Sequence, residues 1–76
     1  MNKFVELWAV FDRPNEHPES YVARRFFNYV PTEDFILSPK LEGVEQALVD
    51  RGLIQVKFDT ENPKISQVWI RGGELN

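Results

Sequence analysis

Apolar and other residues alternate in four segments of the chain, and this period of two is typical of β-strands. The segments span residues 3–12, 21–30, 53–58 and 64–71. In the first segment, one set of alternate positions is wholly apolar (Val5, Leu7, Ala9 and Phe11), whereas the other set is mixed (Phe4, Glu6, Trp8, Val10 and Asp12). Both sets are mixed in the second segment. The pattern therefore predicts four strands.

Residues 38–52 follow a helical period instead. Leu41, Val44 and Leu48 recur at the spacing that forms one apolar stripe on a helix. Because Gly43 interrupts this segment, it should cost about 1 kcal/mol relative to alanine. The pattern predicts a single amphipathic helix between the second and third strands.

The ends of the helical segment carry residues that suit helix termini. Ser38 can cap the free amides of the first turn, and Pro39 suits the first helical position. Arg51 complements the negative end of the helix dipole, and Gly52 can adopt the left-handed conformation that ends a helix. These residues place the helix directly after Ser38.

The predicted order is β-β-α-β-β. It indicates an α+β fold, in which one helix packs on one face of an antiparallel four-stranded sheet. Residues 13–20 and 31–35 contain the turn formers that connect these elements. A chain of 76 residues forms one domain, residues 1–76, in which we expect residues 71–76 to be a flexible tail.

A single helix can cover only one face of such a sheet. We assign the most regular apolar positions to the helix face: Val5, Leu7, Ala9, Phe11, Ile54, Val56, Phe58, Val68 and Ile70. The other face then holds Phe4, Trp8, Val10, Gln55, Lys57, Ile65, Gln67 and Trp69. It is joined by one alternate set of the second strand, either Tyr21, Ala23, Arg25, Phe27 and Tyr29 or Val22, Arg24, Phe26, Asn28 and Val30. A monomer seldom exposes so large an apolar patch.

Three arrangements would account for this aromatic face. Residues 35–37 and the chain ends could fold over it. A second copy could cover it, because small domains gain most from association. Alternatively, it could stack nucleic-acid bases while Arg25, Lys57 and Arg71 bind phosphates. The partner-binding residues predicted on this basis are Phe4, Trp8, Arg25, Phe27, Lys57, Trp69 and Arg71.

Composition limits the classes of function. The formal net charge is −3, whereas general nucleic-acid binders usually carry a basic excess. The absence of cysteine excludes disulfides and thiolate metal sites. The first residues lack the apolar region of a signal peptide, and no apolar run is long enough to cross a bilayer. We therefore expect a cytoplasmic protein that has no membrane partner.

The loop after the first strand holds the only cluster of polar chemistry. His17 is the single histidine, and Asp12, Glu16 and Glu19 lie near it in sequence. One histidine with carboxylates lacks the ligand set of a zinc site, and a general base would also need a nucleophile. We therefore expect no enzyme activity, no cofactor and no metal. Asp12, Arg13, Glu16 and His17 are predicted to form a solvated loop that can contact a partner.

The pair Arg24–Arg25 lies in the second strand. Adjacent strand residues face opposite sides, so only one of the two arginines can share a face with the aromatic residues. Either arginine could form an ion pair with Asp12, Glu6 or Glu19 across the first two strands. Alternatively, a guanidinium at this place could anchor a protein interface.

Two parts of the chain resemble a group of short bacterial and phage-encoded proteins whose function is unassigned. The matching motifs are FDRP at residues 11–14, Pro18, VAR at 22–24 and PKISQVW at 63–69. Glu16-His17 stands where that group has an acidic-aromatic pair. The resemblance implies a bacterial or phage origin and a fold in which the first and last strands act together, and it implies no activity.

These observations predict a non-catalytic protein-interaction module that forms a homodimer. A phage or mobile-element accessory protein that binds a host protein would fit. The alternative is a small nucleic-acid-associated regulator that uses the aromatic sheet face.

Overall fold

The computed structural model describes residues 5–71, which form an α+β fold. The elements are β1 (Glu6–Asp12), β2 (Tyr21–Phe27), β3 (Val30–Ser38), α1 (Leu41–Asp50), β4 (Leu53–Val56) and β5 (Ile65–Arg71). All neighbouring strands are antiparallel, and their order in the sheet is β3-β2-β1-β5-β4. The predicted antiparallel sheet with one helix is confirmed. The predicted count of four strands is wrong, because the described sheet has five.

The additional strand is β3, which lies at an edge of the sheet. The chain turns at Asn28 and Tyr29, whose φ angles are 52° and 68°. A two-residue hairpin loop with positive φ at both positions matches the right-handed twist of the flanking strands. Pro31 and the charged residues 33–34 interrupt the alternation of apolar residues, so the sequence pattern does not predict β3. Both features are tolerated at a sheet edge, where one side of the strand needs no hydrogen-bonding partner.

The helix connects the two edges of the sheet, because β3 and β4 lie at opposite ends of the strand order. It therefore crosses one face, where it packs against β2, β3 and β4. Val44 and Leu48 on its inner side are fully buried. The apolar stripe predicted from the sequence is thus the face that packs on the sheet.

The helix ends partly as predicted. Gly52 has a φ of 82° directly after the helix, and the Arg51 guanidinium donates a hydrogen bond to the Ala47 carbonyl at 3.2 Å. The start is different. Lys40 is the N-cap and no side chain caps the first turn. The predicted cap is wrong because the Ser38 hydroxyl instead accepts a hydrogen bond from the Lys40 amide at 3.2 Å.

The core under the helix is built around two tryptophans. Trp8 of β1 lies opposite Trp69 of β5, and both belong to the buried cluster that contains Val44 and Leu48. The remaining buried members of this cluster are Val10, Ala23 and Leu53. The predicted face assignment is therefore reversed. Each indole ring offers a large apolar area, and packing Trp8 and Trp69 beneath the helix removes that area from water.

The register also decides which residues of β2 accompany the tryptophans. Trp8 pairs with Arg25, and Val10 pairs with Ala23. Since alternate residues share a face, the set on the tryptophan side is Tyr21, Ala23, Arg25 and Phe27.

Within residues 5–71, no helix has the length and apolar character needed to cross a membrane.

Candidate protein-interaction face

The face of the sheet opposite the helix is almost wholly apolar. We call it the open face. Its residues, read from the strand register, are Leu7, Ala9 and Phe11 of β1; Val22, Arg24 and Phe26 of β2; Phe35 and Leu37 of β3; Ile54 and Val56 of β4; and Ile65, Val68 and Ile70 of β5. Arg24 is the only charged member of this set. No helix packs on the open face in the described part of the chain, because α1 lies on the other side.

Exposure varies across the open face. Ala9, Val22 and Val68, which belong to the inner strands β1, β2 and β5, are buried. The edges are more accessible: Phe35 and Leu37 are each 44% exposed, and Ile54 is 52% exposed. The accessible apolar surface therefore extends over both edge strands.

Arg24 lies across the β2–β3 boundary of the open face. Its Nη1 donates a hydrogen bond to the Thr32 carbonyl at 2.8 Å, and its guanidinium carbon lies 5.3 Å from the centre of the Phe35 ring. The guanidinium therefore has a fixed orientation. Within residues 5–71 it forms no ion pair with a carboxylate.

The loop of residues 13–20 reaches the same end of the open face. The His17 ring lies 5.9 Å from the Phe35 ring, so the loop approaches β3 as well as β1 and β2. The His17 amide donates a hydrogen bond to the Pro14 carbonyl at 2.9 Å, which closes a turn. A pocket of about 300 Å³ results, lined by Phe11, Pro14, Glu16, His17, Val22 and Arg24.

The four loop residues that the sequence predicts to contact a partner differ in their interactions and exposure. Asp12 accepts a hydrogen bond from Arg13 Nε at 2.7 Å, and the Arg13 guanidinium carbon lies 5.4 Å from the centre of the Tyr21 ring. Asp12 and the neighbouring Arg13 therefore form a local ion pair. Glu16 is exposed, and His17 is half-buried. In residues 5–71, no group of acidic and histidine side chains is arranged to hold a metal ion.

A charged cluster lies at one end of the helix-covered face. Glu6 accepts hydrogen bonds from Arg71 Nε at 2.6 Å, from Arg25 Nε at 3.0 Å and from Trp8 Nε1 at 2.9 Å. The hydrogen bond from Arg71, followed by those from Trp8 and Arg25, lowers the pKa of Glu6 to about 2, although burial opposes this shift. The Glu6 carboxylate is therefore ionised at neutral pH and ties three strands together.

A shallow cleft of about 500 Å³ adjoins this cluster. The ionisable residues that line it are Glu6, Arg25, Glu33, Asp34, Arg51 and Arg71. Three arginines face three carboxylates, so the formal charges balance. Trp8, Phe35 and Ile36 also line the cleft, but the charged side chains outnumber them and carry no net charge, so the lining favours no single class of ligand.

The structure changes the role of the predicted partner-binding residues. Trp8 is 4% exposed and Trp69 is 5% exposed, so the prediction that both face solvent is wrong. Arg25 shares their face and pairs with Glu6, which confirms one of the predicted ion pairs. Arg71 also pairs with Glu6.

Two other predicted positions, Phe27 and Lys57, lie at the margins of the sheet. The Phe27 ring centre is 5.4 Å from the Arg25 guanidinium carbon, on the tryptophan side of the sheet. Lys57 is exposed, directly after β4. Phe4 lies outside the described residues. One of the three alternatives had residues 35–37 fold over the aromatic face, but these residues extend the sheet as part of β3.

The sequence pattern places the open-face residues of β1 and β4, with Val68 and Ile70 of β5, on the helix side. It places Ile65 on the other side and leaves the β2 set undecided. The two tryptophans could have indicated the face that the helix covers, because large aromatic side chains dominate the energy of cores as well as of interfaces. No family model, curated protein or solved structure matches the chain.

Proposed function

We propose that this chain is a non-catalytic protein-interaction module, and that the open face binds the open face of a second copy to form a homodimer. The observation that supports the proposal is the continuous apolar surface opposite the helix, on which Arg24 is the only charged side chain. A soluble monomer seldom exposes a contiguous apolar patch of this extent.

The size of the open face fits a small dimer. Five strands about 4.8 Å apart and roughly 20 Å long give a face of about 500 Å² per copy. Two such faces would remove about 1,000 Å² from water, which is near the lower limit for a specific interface. We therefore expect a dissociation constant in the micromolar range rather than an obligate dimer.

Charge affects how two copies meet. Each chain carries a formal net charge of −3, so two copies repel one another at a distance. No acidic residue belongs to the open face, so contact between two such faces brings no carboxylates together. Added salt should therefore strengthen the dimer, because it screens the repulsion without weakening the apolar contact.

The nucleic-acid alternative lacks support in the form that uses Trp8 and Trp69 as stacking groups. Base stacking requires an accessible aromatic surface, whereas Trp8 and Trp69 are packed beneath the helix. A role as a phage or mobile-element accessory protein that binds a host protein stays a prediction from the resemblance of the loop and the last strand. The open face would be the surface for such a partner as well.

The proposal is tested by the solution mass of the purified chain as a function of protein and salt concentration. Sedimentation equilibrium should show a rise from 8.9 kDa towards twice that mass as the concentration increases, and a further rise with added salt. A mass of 8.9 kDa that is independent of both variables would reject the homodimer.

A further inference from the structure

The pocket beside the loop of residues 13–20 has an apolar floor and a single oriented cation. Phe11 and Val22 belong to the open face and form the floor, and Pro14 and His17 come from the loop. Arg24 lies on the β3 side of this pocket. Its volume of about 300 Å³ is at the small end of the range for organic ligands.

Arg24 keeps most of its hydrogen-bonding capacity. A guanidinium has five N–H donors, and the described contacts of Arg24 use one of them, at the Thr32 carbonyl. This hydrogen bond and the Phe35 ring fix the plane of the group. The remaining donors therefore hold a defined direction before any ligand arrives, which lowers the entropy lost on binding.

The other arginines of the described chain differ from Arg24. Arg13, Arg25 and Arg71 each pair with a carboxylate. Arg51 has no carboxylate partner either, but it is exposed to water. Arg24 is half-buried on an apolar face and lacks a counter-ion, so its charge is only partly compensated by solvent.

We propose that this pocket binds a small organic carboxylate with an apolar body. The carboxylate accepts hydrogen bonds from the free donors of Arg24, and the apolar body lies against Phe11 and Val22. Arginine suits this task because its planar fork matches the two oxygens of a carboxylate. Glu16 also lines the pocket but is exposed, so water screens its repulsion of the ligand's carboxylate, which increases for a ligand with a second negative charge.

This proposal goes beyond the homodimer. Phe11, Val22 and Arg24 also belong to the open face, so ligand binding competes with dimer formation. The titrations are therefore made at a protein concentration at which the monomer predominates. Benzoate is a suitable probe, because it combines one carboxylate with a flat apolar ring. Benzamide is its matched control, because it has nearly the same shape and lacks the charge. Titrations of the isotopically labelled full chain, followed by NMR, report on the Arg24 side chain and the His17 ring directly.

Benzoate should bind with a millimolar dissociation constant, as expected for so small a ligand, and benzamide should bind about tenfold more weakly. Arg24→Gln should reduce benzoate binding to the benzamide level. Arg13→Gln removes the same charge from the neighbouring loop but not from the pocket lining, and it should leave binding unchanged.

Equal binding of benzoate and benzamide to the unmodified chain would overturn the proposal, and this comparison does not require any variant to fold. Retention of benzoate binding in folded Arg24→Gln protein would overturn it as well. The same titration on Ile54→Glu protein separates the two proposals: binding should persist there even though the dimer is lost, because Ile54 lies on the far edge strand.

Discussion

The Glu6 carboxylate accepts a hydrogen bond from Arg71 Nε at 2.6 Å, across 65 positions of sequence. Glu6 begins β1 and Arg71 ends β5, and these two strands are neighbours in the middle of the sheet. Arg25 brings β2 to the same carboxylate at 3.0 Å. One mostly buried carboxylate therefore links the ends of three adjacent strands.

Removal of this acid should destabilise the protein. The pKa of Glu6 is lowered from 4.5 to about 2, so the ionised form is favoured in the folded state. A shift of this size corresponds to roughly 3 kcal/mol of folding free energy. We expect Glu6→Gln to lower the free energy of unfolding by about this amount at pH 7, as measured by urea denaturation.

The pH dependence of that effect follows from its sign. A lowered folded-state pKa adds stability above the unfolded value of 4.5, and this stability is lost as the pH falls towards about 2. The difference between the unmodified chain and Glu6→Gln should therefore shrink between pH 5 and pH 2. The exposed Glu61 provides a control, since Glu61→Gln should change stability little at either pH. A difference that stays constant with pH would contradict the account.

The close approach of Ser38 should make glycine necessary at residue 43. From helix propensity alone, alanine at this position should stabilise the protein by about 1 kcal/mol. However, a Cβ atom at residue 43 would lie 3.0 Å from the Ser38 Cβ and closer still to the Ser38 hydroxyl. We expect Gly43→Ala to destabilise the chain in thermal unfolding.

A double-mutant cycle isolates the cause. Ser38→Ala removes the hydroxyl that an alanine at residue 43 would meet, so Gly43→Ala should be less harmful in that background. If the two substitutions prove additive, the close approach of Ser38 is not the reason for the glycine.

The hairpin between β2 and β3 carries a conformational cost at Tyr29. Its φ is 68°, a region in which a residue with a Cβ is disfavoured by about 1 kcal/mol, and its side chain is at the surface with 71% of the residue exposed. Tyr29→Gly should therefore raise the free energy of unfolding by up to about 1 kcal/mol. Chemical denaturation measures the change.

Asn28 is the matched control, because its φ is also positive, at 52°. Its Oδ1 accepts a hydrogen bond from the Val5 amide at 3.0 Å, so Asn28→Gly should lose this bond and gain no stability. Equal effects of the two glycines would show that the backbone angle of Tyr29 is not a source of strain.

The sequence predicts the elements of this fold better than it predicts their arrangement. Period-two and helical patterns locate β1, β2, α1, β4 and β5, because each of these elements buries one side. The sequence does not predict β3, because this edge strand contains Pro31 and the charged residues 33–34 and therefore has no sustained alternation. Local pattern therefore located the strands with sustained alternation, which include the edge strand β4.

The choice of face could not be decided by pattern. Both faces of β1 offer apolar side chains, since Leu7 and Phe11 lie on one side and Trp8 and Val10 on the other. Which side meets the helix depends on the strand order, which places β1 and β5 together and thus joins Trp8 to Trp69. One face of the sheet still lacks a covering helix within residues 5–71, but it is the open face rather than the face of the tryptophans.

Ile54 and Val49 allow the most direct test of this account, because their exposures are nearly equal at 52% and 53% but their locations differ. Ile54 lies on the open face, and Val49 lies on the solvent side of the helix. At about 100 µM, sedimentation equilibrium should give a mass near twice 8.9 kDa for the unmodified chain and for Val49→Glu, and near 8.9 kDa for Ile54→Glu. The account would be contradicted by a monomeric unmodified chain, or by variants whose masses do not differ.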